Sequence, residues 1–398
     1  MSWPMVKLGD VCTINPRLPK NIDLEQEVTF LAMAAVSEKG EISSQETRIL
    51  HETKKGFTYF ERGDVLLAKI TPCFENGKAT LTNNLNTQIG FGSTEFHVLR
   101  AIPELILPEY IFYLIWNEKF RIAAAKEMTG SAGQKRVSAD YLKEYQFYLP
   151  SIFEQEKIVS ALNKGYSIHR KRQQAIKLAD DFLRATFLEI FGDPIINSKS
   201  WELKKLGDIA DCQLGKMLSQ KSKNGLSPKK YLRNANIRWR KIDIHDLLEM
   251  DFNETEKSKF ELRKGDLLVC EGGEIGRCAI WNNQIADCYY QKALHRVRPN
   301  YRMVTSVYLQ EYLYSMAKNN AFSEFVSEVT FSHLTAEKLK NLLVPVPPLS
   351  LQEKFELIYK KFNELLNDKY NNDELSFILL SNSINDNMFK QSLFKDKH

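Results

Sequence analysis

Trp3-Pro4-Met5-Val6-Lys7-Leu8-Gly9-Asp10-Val11 opens the first half of the chain, and Trp201-Glu202-Leu203-Lys204-Lys205-Leu206-Gly207-Asp208-Ile209 opens the second, 198 residues later. The correspondence continues in order. Arg62-Gly63-Asp64-Val65-Leu66-Leu67 is matched by Lys264-Gly265-Asp266-Leu267-Leu268-Val269, Gly77-Lys78 by Gly276-Arg277, and His97 with Arg100 by His295 with Arg298. Each half also closes alike: Leu149-Pro150 leads to Gln155-Glu156-Lys157, and Val346-Pro347 leads to Gln352-Glu353-Lys354. The spacing stays between 197 and 202 residues throughout. Ordered matches at a near-constant spacing mark an internal duplication, with a period far longer than that of a solenoid. The sequence therefore predicts two similar modules in tandem.

Each module has two parts. The first is rich in short β-type runs and turn residues: Val65-Leu66-Leu67-Ala68 and Leu267-Leu268-Val269-Cys270 read as buried strands after a Gly-Asp turn. Pro108 to Trp116 reads as a helix with proline in its first turn, and Val307 to Met316 as its counterpart. The second part is one long helix. No proline occurs from Phe153 to Phe191, and Gly192-Asp193-Pro194 stops the run. A second proline-free helix is expected from Ser350 to Phe394. Ile176, Ala179, Leu183, Thr186 and Ile190 on the first, and Phe355, Ile358, Phe362 and Leu365 on the second, recur three and four apart. A narrow seam of this kind calls for one long partner, most simply the other helix. The expected fold is α+β: two tandem mixed α/β domains separated by two long helices that form an antiparallel coiled coil. The expected boundaries are 1–150, helix 151–192, 193–348 and helix 349–398.

Composition narrows the function. The 398 residues carry 55 Lys and Arg against 50 Asp and Glu, a net +5, which permits a nucleic-acid partner without demanding one. No run approaches the roughly 18 apolar residues of a membrane helix, and the opening residues lack the apolar core of a signal peptide. A soluble, cytoplasmic chain is expected, with no membrane partner. Cys12, Cys73, Cys212, Cys270, Cys278 and Cys288 form no C-x-x-C pair and read as separate reduced thiols, not as a zinc site. There is no Walker A sequence, no G-x-G-x-x-G after a strand, no G-x-S-x-G and no H-E-x-x-H. Gly272-Gly273-Glu274-Ile275-Gly276 lacks the Lys-Ser/Thr ending of a phosphate loop and reads as a turn. Catalysis by this chain, or a metal or cofactor bound to it, is not expected; two similar binding sites are.

The candidate contacts are cations set among turn, amide and aromatic residues. Met128-Thr129-Gly130-Ser131-Ala132-Gly133-Gln134-Lys135-Arg136-Val137-Ser138 is small, rich in hydrogen-bonding groups, and ends in two cations before a short helix from Ala139 to Lys143. Glycines let backbone approach a phosphate, and the hydroxyls of Thr129 and Ser131 donate to one. Gln134 suits adenine and Arg136 suits guanine, with Lys135 between them. Lys69 and Lys78 bracket a strand-end loop whose counterpart carries Arg277. In the second module Lys216, Lys221 and Lys223 precede Arg233, Asn236 and Arg238, which interleave with Tyr231 and Trp239. The stretch aligned with the first-module loop there, Val329 to Thr335, contains His333. For each group the alternative is a solvated charged face. His97 and His295 lie in matched alternating runs and read as structural.

In these residues the chain resembles the DNA-specificity subunits of type I restriction-modification enzymes, over essentially its full length. The resemblance rests on the Lys-Leu-Gly-Asp opening, the Gly-Asp-hydrophobic strand and the Thr129-Gly130-Ser131 to Gln134-Lys135-Arg136 loop. Pro150 to Lys157 and Phe191-Gly192-Asp193-Pro194 complete it. The second module departs at its loop, where Phe331-Ser332-His333 stands in place of Gln-Lys-Arg. The resemblance implies that each globular part is a target-recognition domain reading one half of a split double-stranded DNA target. The long helices would set the gap and dock two modification (methyltransferase) subunits, which restriction (translocase and nuclease) subunits can join. S-adenosylmethionine, ATP and Mg would then be bound by partner subunits and none by this chain, which would be non-catalytic. The rival readings are a specificity component of a type IIB-like system, a coiled-coil scaffold that reads no DNA, and a cryptic nuclease.

Overall fold

The computed structural model describes residues 3–131, 133–219, 225–322 and 334–364. Chain contacts divide them into two units, one up to Lys171 and one from Arg172 onward. Each unit is a mixed α/β domain with part of a long helix, as the sequence leads one to expect.

In the first unit, Met5–Lys7 pairs antiparallel with Gln146–Tyr148, so the domain is tied where it begins and where it ends. One antiparallel sheet has the order Cys12–Ile14, Phe96–Ala101, Val65–Ala68, Ala79–Leu81. A second sheet has the order Glu46–Ile49, Glu27–Leu31, Ile89–Gly92, Thr58–Glu61, and its central pair is parallel. Val65–Ala68 is buried at every position. Val65 and Leu67 face a core that includes Tyr110, Ile111 and Leu114 of helix Pro108–Trp116, whereas Leu66 faces Phe60, Phe96 and Val98. With both faces covered, the strand needs an unbroken apolar run and not an alternating one.

The second unit repeats this plan. Glu202–Lys205 pairs with Leu343–Val346, and the antiparallel sheet has the order Ala210–Leu214, Leu294–Pro299, Leu267–Cys270, Cys278–Ile280. Pro228–Leu232 again pairs in parallel, here with Cys288–Tyr290. This second sheet has three described strands; helix Glu254–Phe260 follows strand Leu248–Asp251 as the short helix Leu50–Thr53 follows Glu46–Ile49, and no described strand stands in the place of Thr58–Glu61.

The matched motifs turn out to be joints. Gly63 and Gly265 adopt φ of 94° and 95°, a region open to glycine at little cost. The aspartate that follows each glycine is buried and gripped by the matched arginine. Arg100 donates through Nε and Nη2 to Asp64 at 2.7 and 2.8 Å, and Arg298 to Asp266 at 2.7 and 2.7 Å. Gln155 is fully buried: its Nε2 donates to the carbonyls of Leu105 (3.0 Å) and Pro150 (2.9 Å), and its Oε1 accepts from the Leu107 N–H (2.9 Å). Gln352 repeats all three bonds, to Met303 O (2.9 Å), Pro347 O (2.8 Å) and Thr305 N (2.9 Å). Each glutamine thus pins the start of a long helix to its own domain. Gln352→Leu should strand three buried main-chain groups and cost about 2–4 kcal/mol. A lower urea midpoint at unchanged slope is the expected reading.

The first long helix spans Ile152–Phe191. Ser151 and Glu154 form a reciprocal cap at its start, with Ser151 N donating to Glu154 Oε2 at 3.0 Å. Gly192, at φ 78°, ends it. In the first unit Tyr166 of this helix stacks on Tyr113 at 5.6 Å, and Val159 and Leu162 are buried. In the second unit it meets the helix over 349–364. Phe182 stacks on Phe362 at 5.1 Å, while Phe187 and Phe191 pack on Phe355 at 5.5 and 5.6 Å, so the two run antiparallel. Ala179, Leu183 and Phe355 of the expected seam are buried. Leu365 and the rest of the expected second helix lie outside the described residues. The seam is not purely helix to helix: Phe187 and Phe191 also pack on Tyr308, at 5.7 and 5.0 Å. Among the described residues no helix is long and apolar enough to cross a membrane. The six cysteines are free thiols, and burial pushes those of Cys12, Cys212 and Cys288 up to about 12.

Candidate nucleic-acid interface

In the first unit the two stretches singled out in the sequence meet. Residues 129–131 and 133–136 form the described part of a hairpin closed by Thr129 and Arg136, whose N–H and C=O groups bond reciprocally at 3.1 and 2.8 Å. The hairpin lies along the loop after Val65–Ala68: Thr71 N donates to Lys135 O (3.0 Å), and Val137 N to Lys69 O (3.0 Å). Thr71 Oγ1 fastens the tip, donating to Gly133 O at 3.0 Å and accepting from Lys135 N at 3.1 Å. Gly130 (φ 131°) makes the tight reversal possible, since a Cβ there would stand 2.6 Å from Gln134 O. Lys69, Thr129, Ser131, Gln134, Lys135 and Arg136 therefore share one patch. Thr129, Ser131, Gln134 and Lys135 are exposed.

Arg136 is braced within this patch. Its Nε and Nη2 donate to Glu95 at 3.0 and 2.8 Å, and its Nη1 to Gln134 O at 3.2 Å. The guanidinium holds the Glu95 carboxyl below the usual carboxylate range. Its fork is occupied in bracing the hairpin, so presenting it to guanine would break that brace. Lys78 closes the neighbouring turn, with its ammonium 3.4 Å from Met33 O. Thr71 and Glu95 were missed by sequence reasoning; Glu95 lies 41 residues from its partner, and nothing local signals the pairing.

In the second unit several candidates are committed inward. Lys216 is only 12% exposed; its ammonium donates to Glu256 Oε2 and Asp251 O, both at 2.6 Å, and lies over Phe252. Asn236 is buried, accepting from Arg233 N at 2.9 Å and donating to Asp243 O and Asp246 O at 3.0 and 2.9 Å. Its amide is fully used, so the reading of Asn236 as a base contact gives way to an internal clamp. Arg233 pairs with Asp246, and Arg277 ties its loop to Asn234 Oδ1 at 3.0 Å. Arg238 is exposed. Lys221, Lys223 and His333 lie outside the described residues.

The matched histidines close the base of this region. His97 Nε2 lies 2.9 Å from Val137 O, and His295 Nε2 lies 2.8 Å from Leu334 O. Burial holds both imidazoles below their ordinary pKa, with Lys69 reinforcing this at His97. Glu95 and the Val137 carbonyl oppose it at His97, as Glu271 and the Leu334 carbonyl do at His295. A depressed folded-state pKa gives stability that is fully present above the unfolded value of about 6.5 and is lost as pH falls toward the folded value. The melting temperature should therefore drop as pH falls below about 6.5. A His97→Gln/His295→Gln double variant should show a shallower drop. Among the described residues no three His, Cys, Asp or Glu side chains are grouped to hold a metal ion.

The same duplication organises the comparisons with known proteins. The family model described as the type I restriction modification DNA specificity domain matches twice, over residues 2–178 and 198–375. This chain belongs to that family. The type I restriction enzyme EcoEI specificity subunit of Escherichia coli is 39% identical over 163 residues, 41% of this chain and 27% of that protein. The EcoAI specificity subunit of Escherichia coli is 38% identical over 173 residues, 43% of this chain and 29% of that protein. The matched segments thus span less than a third of either relative. The crystal structure of a type I restriction-modification S subunit from M. genitalium aligns with a TM-score of 0.60 at 14% identity. That alignment covers 97% of this chain and 96% of the other, a likeness of fold.

Proposed function

We propose that this chain is the DNA-specificity subunit of a type I restriction-modification complex. Each globular domain reads one half of an asymmetric, bipartite target in double-stranded DNA. The carrying observation is the hairpin at 129–136: exposed Ser131, Gln134 and Lys135 stand on a base fixed by Thr71, Glu95 and main-chain bonds. Groups that read base edges need that rigidity. The second domain reads its half through a different set of side chains, Arg238 among them. The long helices set the gap and dock two modification subunits; exposed Leu178, Phe182 and Leu357 suit such a surface. Restriction subunits join the complex. S-adenosylmethionine, ATP and Mg belong to the partner subunits, the chain itself is non-catalytic, and it works in the cytoplasm.

The test is a chimera in which residues 1–150 are exchanged for those of a relative, with methylated adenines mapped across a genome. One half-site should change while the other half and the gap stay as they were. A change in both halves, or no target-dependent methylation with the parent chain, would overturn the reading.

A further inference from the structure

We propose that His97 is a positioning residue for base reading by the first domain, holding the hairpin at 129–136 in place through the Val137 carbonyl. This rests on the reading of that hairpin as a DNA contact.

The hairpin carries glycines at 130 and 133, both at positive φ, so its own backbone restrains the tip weakly. Placement comes from outside it, from Thr71 at the tip and from the bonds at its base. Val137, the residue at which it ends, is fixed on both sides. Its N–H donates to Lys69 O at 3.0 Å, and its carbonyl faces His97 Nε2 at 2.9 Å. The next residue, Ser138, caps the short helix Ala139–Glu144 by accepting from Tyr141 N at 3.0 Å. The bond from the ring thus fixes the point from which the hairpin departs.

The surroundings also fix which ring nitrogen carries the proton. Asn15 Oδ1 accepts from Val98 N at 3.0 Å, which orients the amide. Its Nδ2 then points at His97 Nδ1 at 3.1 Å and donates to it. Nδ1 is thereby an acceptor, and the neutral ring bears its hydrogen on Nε2, aimed at Val137 O. His97 sits on the core strand Phe96–Ala101 and is 5% exposed, so it transmits the rigidity of the sheet to the hairpin.

The carbonyl anchor recurs in the second unit, although among the described residues the buried His295 Nδ1 has no counterpart of the Asn15 bond. Leu334 N donates to Glu271 O at 2.7 Å, Leu334 O faces His295 Nε2 at 2.8 Å, and Thr335 caps the following short helix. Lys69 and Glu271, at matched positions, share only the main-chain role. A bond pattern that survives while its neighbours diverge serves the module, not one local packing problem.

The experiment uses the full chain assembled with its modification subunit. Binding is measured to a target duplex and to duplexes with either half-site scrambled. His97→Leu should lose about tenfold of its discrimination at the half-site read by the first domain and none at the other. His97→Gln, whose amide can donate to Val137 O, should recover most of that loss. His295→Leu should leave discrimination at the first half-site intact. Should His97→Leu fail to fold, Asn15→Gly keeps the positive φ of 54° at that position and frees the ring. It should lose a few-fold at the same half-site. Wild-type discrimination in His97→Leu, equal loss at both halves, or no rescue by His97→Gln would overturn the inference. Absence of discrimination in the parent complex would instead overturn the proposed function itself, and this inference with it.

Discussion

Arg240→Met should destabilise the second unit by about 3–5 kcal/mol, the usual cost of removing one member of a buried ion pair. Arg240 donates through Nε to Glu311 Oε1 at 2.7 Å and through Nη1 to Asp180 Oδ1 at 2.6 Å, and its Nη2 also meets Glu311. It lies over the Tyr314 ring at 4.4 Å. Glu311 is 3% exposed, so without the guanidinium a carboxylate is stranded in the interior, with Gln310 Nε2 as a donor at 3.2 Å. Asp180, 49% exposed, can turn to water. Most of the penalty thus comes from the abandoned glutamate. An Arg240→Met/Glu311→Gln double variant should recover most of the lost stability, and Arg240→Lys, which keeps the charge but not the fork, should fall between. Chemical denaturation of the four proteins gives the coupling. A double variant no more stable than Arg240→Met would show that packing, not charge, dominates.

With the hairpin as a DNA contact, as proposed, Gly130→Ala should weaken binding to the first half-site at least tenfold, about 1.4 kcal/mol, with little change in global stability. The new Cβ would stand 2.6 Å from Gln134 O and 3.2 Å from Lys135 Cα, both main-chain atoms that cannot swing aside. The hairpin would have to open or shift, and Gln134 and Lys135 would move with it. Gly133→Ala is the control: φ there is 83°, but nothing lies within 4 Å of the added carbon. It should cost threefold or less. Equal effects at the two positions would mean that backbone strain alone, not the shape of the hairpin, governs binding.

The duplication made the fold legible, because its motif residues are the joints. A glycine at positive φ, a buried aspartate and a buried glutamine leave marks that survive divergence, and the helix 152–191 announced its end at Gly192-Asp193-Pro194. The site was legible only in outline. The loop at 128–138 was visible from its glycines and hydroxyls, but side-chain roles depend on partners far along the chain. Arg136 reads from the sequence as one of two surface cations, yet Glu95, 41 residues away, is paired with it. Asn236 sits in Arg233-Asn234-Ala235-Asn236, a run that reads as surface; it is buried because one amide there satisfies an N–H and two carbonyls at once. Composition sees polarity but not the main-chain groups waiting to be paired.

The glutamine joints have a consequence for how such a protein can change over generations. Gln155 and Gln352 hydrogen-bond to their domains through main-chain N–H and C=O groups, which every residue but proline offers in full. A domain whose surface side chains drift still presents the same socket to its helix. Under the proposed function, recognition can therefore be rewritten by inheritance one half at a time, while the mounting that carries it has nothing to relearn.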